Sequence, residues 1–214
     1  TTLFRSDIMD ILNLRDPFVL TTGFDRENLY YAVKRPRDKY RELLSYLKEK
    51  EEKMPGSSGI IYCLSRKNVE EVCYQLREDG FSVTRYHAGL SDEERKENQE
   101  DFIYDRKQIM VATNAFGMGI DKPNVRTVFH IDLPQGIEAY YQEVGRAGRD
   151  EQESHGIYLY NPDDRIQAEN IFKANLPSQQ DFIKIGNCLF SQLQLAEGEL
   201  TEMNYQLDLP KFAE

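Results

Sequence analysis

An α/β fold, three layers deep with a mainly parallel central sheet between helices, is what this sequence predicts, on three observations. Short β-rich runs recur along the chain, helical patterns separate them, and most of the runs are continuously apolar, as strands buried on both faces are. A length of 214 residues suits one domain of about 150 residues with an appendage, or two small ones.

Taken in order, the first 24 residues read as the tail of another unit: a helix over Ser6 to Leu14, an Asp16-Pro17 turn, then Phe18-Val19-Leu20. Thr1-Thr2-Leu3-Phe4-Arg5 has neither an initiator Met nor an apolar signal core and reads as the start of an excised piece. Leu29 to Val33 is a candidate edge strand, and Lys39 to Lys53 a helix. The loop Met54-Pro55-Gly56-Ser57-Ser58 then leads into the first central strand, Gly59 to Leu64. Lys67 to Asp79 carries Val69, Val72, Cys73 and Leu76 at helical spacing, with Gly80 as its stop. After a strand at Ser82 to Tyr86, Ser91-Asp92-Glu93-Glu94 reads as a capping box that opens a polar helix running to about Tyr104. Strands follow at Gln108 to Thr113, Thr127 to Ile131 and Gly156 to Tyr160. Past Leu176-Pro177-Ser178 comes an apolar-periodic helix, Phe182 to Leu193, and a polar tail containing Tyr205-Gln206-Leu207-Asp208-Leu209.

Composition narrows the function classes. No apolar run approaches the roughly 18 residues of a membrane span, so no membrane partner is expected. Cys63, Cys73 and Cys188 are odd in number and form no C-x-x-C pair, which argues against a disulfide framework and a cysteine zinc site and fits a reducing cytosol or nucleus. A net charge of −10, taken alone, argues against a protein that coats nucleic acid by bulk charge. Any such contact is local, and charge is uneven: basic residues outnumber acidic ones between Arg106 and Arg149, while acid gathers in Glu49 to Glu52 and Asp92 to Asp101.

Ligands of open parallel sheets gather outside the carboxyl ends of the strands. The residues there are Ser65-Arg66, His87-Ala88-Gly89 and Thr113-Asn114, polar groups of the kind that bind phosphate without reading sequence. Ser65 serves equally well as a helix N-cap, and His87 as an ordinary loop residue. Next comes Ala115-Phe116-Gly117-Met118-Gly119-Ile120-Asp121-Lys122-Pro123, where two glycines allow a tight backbone path and Asp121 suits either a ribose or a structural ion pair. In Tyr140 to Asp150, a helix would put Gln142, Arg146 and Arg149 on one face and pack Ile137, Tyr141 and Val144 against the sheet, unless the glycines end it near Val144. Arginines framed by glycines can approach a phosphate closely, and a guanidinium fork suits the charge that develops in phosphoryl transfer.

Four segments together resemble the second motor lobe of RecQ DNA helicases: Ile60-Ile61-Tyr62-Cys63-Leu64-Ser65-Arg66, Tyr86-His87-Ala88-Gly89-Leu90, Val111 to Val125 and Tyr141 to Asp150, with motifs IV, V and VI in order. The likeness covers roughly Asn28 to Asp164, and Phe24-Asp25-Arg26-Glu27-Asn28-Leu29 resembles the family's passage between lobes. The stretch AFGMGIDKPNVR is specific to this family, whereas a GRAGR core is shared by superfamily 2 helicases at large. The resemblance implies a RecA-like lobe (28–174) after the tail of a preceding RecA-like lobe and its linker (1–27), with a helical extension (175–214) opening a further domain. It implies ATP and Mg²⁺ held mainly by the preceding lobe, and 3′-to-5′ movement on single-stranded DNA and duplex junctions. Arg149 would be the arginine finger, Arg146 a second phosphate contact, and Gln142 the link between nucleotide state and DNA. Asp121 and Gly119 would lie near the nucleotide, and Ser65, Arg66, His87, Thr113 and Asn114 would face the DNA backbone.

Two departures limit that expectation. The chain has no G-x-x-x-x-G-K-[ST] and no Asp-Glu-x-His, so alone it is expected not to hydrolyse ATP. A four-cysteine zinc module is also missing after Asp164, so no zinc is expected, and the tail resembles a bacterial RecQ-like subgroup without that module. The expected location is the bacterial cytoplasm, or the nucleus of a eukaryote. Two other readings stand: a DEAD-box RNA helicase lobe, for which motif VI departs at the informative positions, and a non-catalytic RecA-like binding module, which has no physical need for both arginines.

Overall fold

A computed structural model describes residues 2–18, 25–117 and 122–193. In chain order the elements are α1 (Thr2–Ile11), β1 (Leu29–Lys34), α2 (Lys39–Lys53), β2 (Ser58–Tyr62), α3 (Arg66–Glu78), β3 (Val83–Tyr86), α4 (Asp92–Ile103), β4 (Ile109–Ala112), β5 (Val125–His130), α5 (Ile137–Val144), β6 (Ser154–Leu159), α6 (Pro162–Asn175) and α7 (Gln179–Leu193). The six strands form one sheet in the order β1-β6-β5-β2-β4-β3, and every pairing is parallel.

Strand side chains alternate between two cores. Ile61, Val111, Phe129 and Ile157 face α2 and α3 with Leu43, Val69, Cys73 and Leu76, while Ile60, Tyr62, Met110 and Val128 face the other way with Phe102, Phe116 and Val144. Both faces are thus covered over the central strands, which explains their unbroken apolar runs. β1 is different. It lies at the sheet edge with Tyr30, Tyr31 and Val33 exposed.

Capping residues set where the helices begin. Asp38, Ser65 and Ser91 accept from the backbone N–H of Arg41, Asn68 and Glu94 at 3.0, 3.1 and 3.1 Å. The capping box expected at Ser91 closes only by half, because the Glu94 carboxylate lies 3.7 Å from Arg85 instead. A complete box forms where none was anticipated: the Asn161 side chain accepts from Asp163 N, Asp164 accepts from Asn161 N, and Pro162 leads α6. α1 ends earlier than the expected Leu14, since Asn13 takes φ 48° just after it. Gly80 stops α3 as anticipated, at φ 87°. The tail around Tyr205 to Leu209 lies outside the described residues, as do Val19 and Leu20.

Candidate functional site

The carboxyl ends of four strands lie level, with Tyr86, Ala112, Tyr62 and His130 in register across β3, β4, β2 and β5. The chain leaves β2 toward β3 on one side and leaves β5 toward β6 on the other. Such a reversal opens a crevice at the carboxyl edge. Here it is lined by Tyr62, Cys63, Leu64, Asn114, His130 and Asp132.

Asp132 closes one side of that crevice by accepting from Leu64 N at 2.8 Å and Asn68 Nδ2 at 3.0 Å, which fixes the β5 exit to the start of α3. Burial pushes the Cys63 thiol up, and Asp132 adds to this; the side chain packs in the core with Val69, Cys73 and Leu76. Beside it the His130 ring stacks on Tyr62 with centroids 5.3 Å apart and receives the edge of Tyr140 at 5.0 Å. His130 Nε2 meets Glu143 Oε2 at 2.7 Å, both groups buried, while His130 Nδ1 has no hydrogen-bond partner among the described residues.

This pair explains how α5 is turned. Glu143 and Val144 face inward, and Ile137 and Tyr141, expected to pack on the sheet, are instead 79% and 47% exposed. The polar anchor on His130 and the apolar contact of Val144 share the buried face. α5 ends at Val144 with Gly145 as its C-cap, so the helical face shared by Gln142, Arg146 and Arg149 is broken before the arginines. Gln142 is exposed on α5, in an apolar hollow with Tyr31, Ile137 and Tyr141.

Both arginines lie in a loop that is pinned from two directions. Arg146 Nη1 donates to Gly117 O at 2.5 Å, its Nε is buried without a partner among the described residues, and a Cβ on Gly117 would fall 2.1 Å from Arg146 Nη2. Arg26 Nη1 donates to Gly145 O at 3.0 Å and its Nη2 to Gly148 O, which also accepts from Asn28 Nδ2 at 2.8 Å. Gly148 takes φ 60°, and a Cβ there would meet Asn28, Ser154 and Gln152 at under 3 Å. Arg149 is exposed. Burial pushes the Tyr62 phenol up, and the charges of Arg146 and Arg149 act against that rise, so both lie within electrostatic reach of it. Below the loop, buried Arg126 donates to Ser154 Oγ at 2.9 Å and to Asp150, whose carboxyl it holds below the usual range despite the opposing effect of burial.

Of the residues expected along the edge, Ser65 caps α3 and is exposed, and Arg66 beside it makes no hydrogen bond or ion pair among the described residues. A Cβ on Gly89 would lie 3.3 Å from Arg66 Nη1, so the α3 start and the β3–α4 turn adjoin. His87 is buried, with Nδ1 accepting from Gly89 N at 3.1 Å and Nε2 on Glu70 at 2.8 Å; it shapes the turn and has no ring nitrogen left to offer a ligand. The Thr113 and Asn114 side chains make no hydrogen bonds among the described residues, and Asn114 is exposed. Gly119 and Asp121 lie outside the described residues. Lys122, just beyond them, is buried and pairs with Asp105 at 2.6 Å. Among the described residues no cluster of His, Cys, Asp or Glu could hold a metal ion, and no helix is long and apolar enough to cross a membrane.

Arg26, Asn28, Arg126, His130, Asp132 and Glu143 escaped the sequence reading. Arg126 and His130 carried a usable signal, ionisable groups beside and within the apolar run Thr127 to Ile131.

The chain matches the family model described as helicase conserved C-terminal domain over residues 38–151. It is 45% identical over 178 residues to the ATP-dependent DNA helicase RecQ of Pasteurella multocida, covering 82% of this chain and 28% of that protein. To the RecQ helicase of Bacillus subtilis it is 42% identical over 160 residues, covering 75% of this chain and 26% of the relative. The chain therefore spans little more than a quarter of the length of these curated relatives. Among solved structures, the crystal structure of a DEAD box protein from Methanococcus jannaschii is similar with a TM-score of 0.55 at 26% identity, over 69% of this chain and 40% of that one.

Proposed function

Since the chain belongs to the helicase conserved C-terminal domain family, on its RecQ branch, we propose that it is the second motor lobe of an ATP-dependent 3′-to-5′ DNA helicase acting in recombination and repair. Residues 28–174 form the lobe that closes over ATP and Mg²⁺ held by a preceding lobe. The observation that carries this reading is the glycine-framed loop Gly145 to Arg149, which holds Arg146 against Gly117 and carries Arg149 within electrostatic reach of Tyr62 at the carboxyl end of β2. A guanidinium on such a loop stabilises charge on a transferring phosphoryl group that arrives from outside the lobe.

Arg149 is assigned as the finger and Arg146 as the second phosphate contact. Asp121 and Gly119 are assigned to the nucleotide's surroundings, and Gln142 to coupling. Ser65, Arg66, Thr113 and Asn114 contact the backbone of single-stranded DNA, and His87 acts through the turn it holds. Contacts of this kind position the strand without reading its sequence. They also reconcile DNA binding with a net charge of −10, because only a local track needs to be favourable. The protein acts where DNA is, in a cytoplasm or a nucleus.

The test compares DNA-stimulated ATP hydrolysis by this chain and by a polypeptide extended to include the preceding lobe. Turnover only in the extended form supports the assignment. An extended form that binds DNA yet never hydrolyses ATP returns the lobe to the class of binding modules.

A further inference from the structure

Arg26 lies ahead of β1, 119 residues from Gly145, yet its guanidinium forks onto the arginine loop. One nitrogen donates to Gly145 O at 3.0 Å, at the carboxyl end of α5, and the other donates to Gly148 O. Helix C-terminal carbonyls lack partners within the helix and carry partial negative charge, so a cation there satisfies both demands. The two carbonyls bracket Arg146 and Ala147, and Arg149 follows directly. Asn28 strengthens the same grip through Gly148 O and Gln152 O at 2.8 and 2.9 Å.

We infer that Arg26 is a positioning residue for the arginine loop, through which the segment entering β1 sets where Arg146 and Arg149 sit. The inference rests on the reading of that loop as the phosphate-facing part of an ATP-driven motor. The Arg146 side chain is held by Gly117, and the backbone on either side of it is held by Arg26 through Gly145 O and Gly148 O, so the loop has two anchors. Removing the backbone anchor leaves the lobe's cores intact, because Arg26 is half-buried and belongs to neither apolar cluster. It frees the loop to shift, and misplacement of a catalytic group by about 1 Å costs on the order of 100-fold in rate. Lysine is no substitute, since a single ammonium cannot reproduce the planar fork between two carbonyls.

The experiment measures steady-state ATP turnover with saturating single-stranded DNA in the intact helicase polypeptide, for wild type, Arg26→Ala, Arg26→Lys and Arg149→Ala. The expected result is that kcat of Arg26→Ala and Arg26→Lys falls by about 10- to 100-fold. KM for ATP and the affinity for DNA stay within a factor of about two, as for loss of an interaction felt only in the transition state. Dilute guanidinium ion added to Arg26→Ala restores part of the lost rate, which unfolding or a merely structural defect would not allow. Wild-type turnover in Arg26→Ala, or a loss that guanidinium leaves untouched, overturns the inference. Arg149→Ala separates the levels: if it also turns over normally, the reading of the loop itself fails, whereas a dead Arg149→Ala beside a normal Arg26→Ala removes only the role given to Arg26.

Discussion

The Arg146 guanidinium donates to the Gly117 carbonyl at 2.5 Å and occupies the place where a side chain on Gly117 would begin. Two segments 29 residues apart thereby become one site. Gly117 takes φ 147°, a backbone conformation that side-chain-bearing residues rarely adopt.

Gly117→Ala is expected to separate stability from activity. The methyl group would displace the mobile end of Arg146, and the strained backbone would cost about 1–3 kcal/mol. In the intact helicase, ATP turnover is expected to fall far more than the unfolding midpoint does. Equal and small losses in both would show that the Arg146 placement does not matter to the chemistry.

Ser65 both caps α3 and lies on the proposed DNA track, and its two roles can be told apart. Ser65→Ala is expected to cost about 1 kcal/mol of stability as a lost cap, together with some DNA affinity. Ser65→Asp keeps the cap, since aspartate is among the best N-caps, but sets a negative charge against phosphate. DNA titrations should show Ser65→Asp as the weaker binder despite normal stability, with no change in sequence preference. Unchanged affinity would leave Ser65 as a cap alone.

His130 and Glu143 form a buried pair whose value lies in orientation. Glu143→Ala takes the partner from buried His130 Nε2, at a cost of about 2 kcal/mol or more. The double replacement His130→Phe with Glu143→Leu removes both polar groups and keeps a ring on Tyr62. Chemical denaturation should find the double variant more stable than Glu143→Ala, and a double-mutant cycle measures the coupling. A double variant as weak as Glu143→Ala would show that the pair does not hold α5.

Asp105 turns the chain at φ 58° and holds buried Lys122 at 2.6 Å. Burial raises its carboxyl, but the bonds from Lys122, Ser58 and Asn124 outweigh that and hold it below the usual range. A carboxyl lowered in the folded state gives stability that is present above its unfolded value of about 4 and lost as pH falls through the folded one. Asp105→Asn, which tolerates the same backbone conformation, is expected to lose stability at neutral pH and to close the gap with wild type under acid. Denaturation midpoints across that range check this, and a pH-independent gap would contradict it.

How much of this was legible in the sequence depended on the kind of force involved. The strands showed as runs such as Ile60-Ile61-Tyr62 because burial on both faces leaves an apolar record, and Lys39–Lys53 was readable to its ends because Asp38 caps a plain amphipathic pattern. The glycine-framed arginines stood out for similar reasons. What stayed hidden was held by single polar contacts over long sequence separations: Arg26 on the carbonyls of 145 and 148, Asp132 on Leu64 and Asn68, and Glu143 on His130. Such bonds have no period. α5 turns Glu143 and Val144 inward and leaves Ile137 and Tyr141 exposed, because the pair with His130 lies on the Val144 side of the helix. α6 was legible in principle, from Asn161-Pro162 and Asp164, whose side chains form its capping box.

The central claim is that the loop ending at Arg149 completes an ATP site that a preceding lobe begins. The most direct measurement is single-turnover ATP hydrolysis by the intact helicase, wild type against Arg149→Ala, with DNA affinity followed in the same samples. The account predicts a loss of about 1,000-fold or more in the hydrolysis rate, the range for arginine fingers, with DNA binding nearly unchanged. Normal hydrolysis with weakened DNA binding would contradict it and make Arg149 a DNA contact.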